Sequence, residues 1–169
     1  MKKILKFLAV VVLCGLSTPA FSAMTLSGNY VSTDSKCFMD MLVTEKGVLQ
    51  GTRSEFLQVT IKGSANLDRC VMRKEVTSHG TLIANATEFL MDLSVCAGKT
   101  TLTSCNLMNL YILDHNEENG ENPIHITLDG ATTVNGAIVF ETGLGQVHKG
   151  PNVVILGEVI GGVIVDQEN

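Results

Sequence analysis

The residues of this sequence whose types and spacing could do chemistry fall in three groups: a polar run near residue 115, the cysteines, and four scattered histidines. The polar run is Asp114-His115-Asn116-Glu117-Glu118-Asn119-Gly120-Glu121-Asn122-Pro123. Hard cations take several oxygen ligands, and Asp114, Asn116, Glu118 and Asn119 offer them in close order, so a weak Ca²⁺ site is a candidate here. The run fails as an EF-hand loop. Its sixth position is Asn119 rather than glycine, and its twelfth is His125 rather than glutamate. A solvated polar loop, between a strand ending near Leu113 and another starting at Ile124, is the reading favoured over the cation site.

The cysteines read as structural. Cys14 lies in a removable leader, described below, and Cys37, Cys70, Cys96 and Cys105 remain. Zinc sites usually pair cysteines two to four residues apart, and redox pairs want C-x-x-C; neither spacing occurs. An even number in an oxidising compartment predicts two disulfides. The turn signal at Gly98-Lys99 favours Cys96–Cys105 across a hairpin, and Cys37–Cys70 follows by elimination. Each bridge would add about 2–4 kcal/mol. A nucleophilic thiol would have to stay unpaired beside a histidine, which the even count argues against. His79, His115, His125 and His148 sit in no local catalytic signature. No G-x-S-x-G, P-loop, G-x-G-x-x-G or H-E-x-x-H appears, and the absence of Trp removes the usual platform for sugars.

The chain starts with a basic segment (Lys2, Lys3, Lys6), an apolar run from Phe7 to Leu16, and small residues at Ala20 and Ser22. That order predicts a secretory signal peptide over residues 1–22. Leu13 before Cys14 argues against lipidation there. The apolar run of about ten residues is too short for a membrane span, which needs about 20. The expected location is the periplasm or the extracellular medium.

After cleavage, residues 23–169 suit one domain with a real core. They carry nine basic and 17 acidic residues. No basic footprint for nucleic acid is present. Residues 23–100 hold eight of each sign, whereas residues 101–169 hold nine acids and only Lys149. An acidic, solubilising surface is the plain reading of that excess.

The elements that must position these residues read in periods of two. Met39, Met41 and Val43 alternate with polar or outward neighbours, as do Leu57, Val59 and Ile61, Phe89 to Val95, and Ile124, Ile126 and Leu128. Alternation of this kind places one face of a strand in a core and the other in water. Turn signals such as Lys62-Gly63, His79-Gly80, Asp129-Gly130 and Asn135-Gly136 separate the runs. The expectation is all-β: a single antiparallel β-barrel or two-sheet β-sandwich of about 8–10 short strands, disulfide-bridged. Gly136, Gly143, Gly150 and Gly157 fall seven apart, but the apolar positions between them do not match, so a solenoid repeat is not expected. The segment 153–165 is apolar on both faces and reads as one or two central strands. An outer-membrane barrel would want more aromatics than this chain has.

These features predict a non-catalytic exported β-domain that binds a small apolar ligand or a protein partner. The methionines Met39, Met41, Met72, Met91 and Met108 are adaptable core fillers that would also suit an apolar cavity. The alternatives are a secreted hydrolase with a spatially assembled site, and a structural or adhesive subunit that joins others by strand addition. An exposed apolar edge strand, with 153–165 the candidate, would favour the last.

Overall fold

The computed structural model describes residues 23–96, 99–113, 124–141, 143 and 145–167. Its chain winds through successive rungs of a β-solenoid. The first rung holds β1 (Met24–Leu26) and β2 (Asn29–Thr33). The second holds β3 (Met41–Val43), β4 (Val48–Thr52) and β5 (Glu55–Phe56), and the third β6 (Val59–Ile61), β7 (Ser64–Asp68) and β8 (Val71–Met72). The fourth holds β9 (Val76–Ser78), β10 (Thr81–Asn85) and β11 (Glu88–Phe89), and the fifth β12 (Leu93–Val95), β13 (Thr100–Thr103) and β14 (Asn106–Leu107). Then come β15 (Leu110–Ile112), β16 (Ile124–Asp129) and β17 (Thr133–Val134), followed by β18 (Ile138–Phe140), β19 (Gly145–Lys149) and β20 (Val154–Ile155). The last rung holds β21 (Val159–Ile160) and β22 (Gly162–Asp166).

Each strand pairs in parallel with its counterpart one rung away, giving sheets of eight, eight and six strands. This corrects the expectation of an antiparallel barrel or sandwich. The alternation holds at Met41 and Val43, Val59 and Ile61, Leu93 and Val95, and Ile126 and Leu128, which are buried, and fails at Met39 and Met91, which lie exposed between strands; in neither case does it say which strand is the neighbour. Consecutive runs are the sides of one turn, and the pairing partner lies about 17 residues away: Val59 pairs with Val76, Val76 with Leu93, and Leu93 with Leu110. The repeat that matters is therefore close to 17, not seven. Parallel sheets usually have both faces covered; here each has one face on a shared core and one in solvent.

Sequence dictates this winding through its inward positions. In the second sheet Leu49, Ala65, Leu82, Thr100, Ile126 and Val147 stack in register, and all lie at or below 1 % exposure. In the third sheet Phe56, Met72, Phe89, Leu107 and Val134 also stack, none above 2 % exposure. Each Leu, Ile, Val, Phe or Met in these rows stabilises by about 1.5–3 kcal/mol on full burial. The corner between these sheets repeats too. Arg53, Arg69, Ala86 and Ser104 adopt left-handed backbone with φ of 47–54°. The residue that follows each one points inward: Ser54, Cys70, Thr87 and Cys105. Hydroxyls there serve the preceding rung, as when the Cys70 amide donates to Thr87 Oγ1 and the Cys105 amide to Thr132 Oγ1. A left-handed corner needs no Gly when backbone ladders hold it on both sides: the Ala86 amide donates to the Thr103 carbonyl and the Arg69 amide to that of Asn85.

The same geometry overturns both expected disulfides. All four described cysteines are free. Cys96 and Cys105 flank β13 at its opposite ends, separated by a strand of about 13 Å. Cys37 sits on the first rung above Phe56 and Cys70 on the third, so they stand at least about 9.6 Å apart along the axis. A disulfide needs Cα atoms within about 7 Å.

Candidate functional site

Three places bring functional groups together, and the open last rung is the fourth candidate. The first is the corner between the first two sheets, where Cys96 Sγ lies 4.0 Å from His79 Nε2 on the adjacent rung. This is an unpaired thiol beside a histidine, the arrangement that cysteine parity argued against. It is not an activated nucleophile. Burial, and then the Glu141 carboxylate, push the Cys96 thiol up from its ordinary value, so it stays protonated, whereas reactive cysteines need the thiolate. The thiols of Cys70 and Cys105 are pushed up as well, by burial, Cys105 to about 11.

The second place is the outward face of the second sheet. Gln50, Thr52, Asn66, Asp68, Ile83 and Asn85 line an open groove of about 340 Å³. The Asn85 amide donates to Asp68 at 2.8 Å, and Arg69 holds the other Asp68 oxygen. These bonds hold the Asp68 carboxyl below the ordinary carboxylate range. Asp68 and Asn85 are thus partnered across neighbouring rungs, within the ladder itself. Asp34 with Arg53, and Glu55 with Lys36 and Arg73, form further exposed ion pairs.

The third place is the histidine pair on the same sheet. His125 on β16 and His148 on β19 approach at 3.0 Å, Nδ1 to Nε2. His115 and the proposed Ca²⁺ ligands Asp114, Asn116, Glu118 and Asn119 lie outside the described residues, as does the signal peptide. The strands that bracket this run, β15 and β16, lie where the sequence expected them. Among the described residues, no three His, Cys, Asp or Glu side chains converge as a metal site would.

The C-terminal end of the solenoid, made of the last rung and of β20 from the rung before it, is open. The strands β20, β21 and β22 each end a sheet, with a hydrogen-bonded neighbour on one side only. Apolar side chains there are open: Val154 47 %, Leu156 67 %, Ile160 49 %, Val163 56 % and Ile164 45 % exposed. Val147, one rung earlier and in register with Ile164, is fully buried. The segment 153–165 is therefore apolar on both faces because it closes the core row and forms the edge; it does not supply central strands. The signal for this was its lack of alternation, which a buried strand and an exposed end share.

No protein-family model, curated protein or solved structure matches the chain.

Proposed function

We propose that this protein is a non-catalytic, exported structural subunit that joins another copy of itself by strand addition, the last rung of one copy meeting the first rung of the next. The observation that carries the reading is the open C-terminal end, formed by the last rung (β21 and β22) and β20 of the rung before it: three strand edges with one neighbour each and five exposed apolar side chains. Such an edge is a template for a further strand, and solenoids ordinarily need a polar terminal repeat to stay apart. At the other end, β1 and β2 also have one neighbour each. Head-to-tail contact would continue both eight-stranded sheets in parallel. Tail-to-tail contact would bring together two ends that, among the described residues, carry Glu141, Glu158 and Asp166 against Lys149 alone, whereas residues 23–100 hold eight charges of each sign. The interior supports a protein partner over a small apolar ligand, since its stacked positions are filled by side chains such as Phe56, Phe89 and Leu107. The leader sequence supports export. The Cys96–His79 pair, with its protonated thiol, gives the hydrolase alternative no nucleophile.

Sedimentation velocity over a concentration series tests the reading. Self-association is expected to grow with concentration and to disappear in Ile164→Lys, which places a charge on the open core row and leaves the buried rungs untouched. A strict monomer at millimolar concentration, or association unchanged by this substitution, overturns the proposal.

A further inference from the structure

The geometry points to a second site, independent of the edge: His125 and His148 form a two-histidine clasp for a late first-row divalent ion such as Ni²⁺. The pair lies on neighbouring parallel strands, diagonally placed, since His125 pairs with Gln146 and Thr127 with His148. Both point to the solvent face of the second sheet, His125 exposed and His148 partly so. Their ring centroids are 5.2 Å apart and the rings are tilted by 38°.

The decisive quantity is the nitrogen separation of 3.0 Å. Two metal–nitrogen bonds of about 2.0–2.1 Å set their nitrogens about 2.9 Å apart at a right angle and about 3.3 Å apart at the tetrahedral angle. The pair is thus spaced for adjacent positions around a tetragonal or octahedral ion, the geometry of Ni²⁺ or Cu²⁺ with imidazole ligands. Rigid parallel strands hold both backbones, so only a small turn of each ring separates the hydrogen-bonded pair from a chelating one. With no third side chain converging among the described residues, water completes the shell. A hard cation such as Ca²⁺ would gain little from two imidazoles.

Calorimetric titration of Ni²⁺ into the purified protein, free of any histidine tag, tests the proposal. Ni²⁺ is the probe because Cu²⁺ oxidises thiols and Cys37 is only half-buried. One saturable site per chain is expected, weakened at least tenfold in His125→Ala and equally in His148→Ala, while Ca²⁺ gives no heat at the same concentrations. Both substitutions lie on the solvent face, and an unchanged circular dichroism spectrum confirms that the rungs persist. Affinity kept within twofold by the His125→Ala/His148→Ala double variant overturns the clasp, because the ion then sits elsewhere. Absence of saturable Ni²⁺ binding up to millimolar concentration overturns it as well.

Discussion

At the residue scale, the cysteines show how one amino acid takes its meaning from position in a wound chain. Cys70 and Cys105 occupy the inward corner position that Ser54, Thr87 and Thr132 fill on other rungs. Each is a small side chain beside a left-handed corner, and a thiol serves there as a compact, weakly polar filler. Their sulfurs contact backbone carbonyls of the same corner: Cys70 Sγ donates to Asp68 and Cys105 Sγ to Thr103. A thiol assay of the protein without its leader should therefore find four free thiols in denaturant. Under native conditions Cys37 should react first, because Cys70, Cys96 and Cys105 are buried. A count of zero in denaturant would restore paired cysteines and break the rung assignment. Parity and compartment favoured bridges, and nothing in the sequence located the sulfurs two rungs, or one strand length, apart.

At the scale of the element, the sequence made the strands legible and concealed their partners. Alternation at Val59-Thr60-Ile61 and Leu93-Ser94-Val95 correctly separated the inward from the outward side chains. It carries no information on whether the neighbour runs parallel. The corner motif, a small Ser, Cys or Thr two residues before an apolar side chain, recurs at Ser54-Glu55-Phe56, Cys70-Val71-Met72, Thr87-Glu88-Phe89, Cys105-Asn106-Leu107 and Thr132-Thr133-Val134. Its spacing drifts between 16 and 18 residues and then jumps to 27, where the run 113–123 is inserted. Mismatched spacing of that kind hides a repeat from any fixed period, and the sevenfold glycine spacing gave a false one. Gly145 and Gly162, which belong to neighbouring rungs, are glycines for a different reason: a Cβ at either would meet the ring of Phe140. One position departs from the core pattern. Thr100 stacks between Leu82 and Ile126, and its hydroxyl is buried without a hydrogen-bond partner. An unmade buried hydrogen bond costs about 1–3 kcal/mol. Thr100→Val keeps the shape and removes the hydroxyl, so the melting temperature should rise, by the equivalent of about 1 kcal/mol. A fall measured by thermal denaturation would show that this row is not apolar as described.

At the scale of the whole molecule, winding converts position in the sequence into position along an axis. Among the described residues, the rungs of residues 23–100 hold eight acids and eight bases, whereas those that follow hold Asp129, Glu141, Glu158 and Asp166 against Lys149 alone, a mild axial asymmetry of charge. The same mapping puts the apolar segment 153–165 at the C-terminal end of the solenoid, where nothing among the described residues covers it. Because each rung touches only its neighbours, stability is close to a sum of rung and interface terms. The open end is then the least stable rung and gains most from a partner. The proposed head-to-tail contact would not close on itself and would extend as a filament.

Hydrogen–deuterium exchange of the β22 amides as a function of protein concentration tests that claim most directly. Strand addition predicts that the Gly162–Asp166 amides facing away from β19 exchange quickly in dilute protein and gain protection as concentration rises, with β1 and β2 gaining it in parallel. Exchange at β22 that stays fast and independent of concentration, while the buried rungs remain protected, would contradict it.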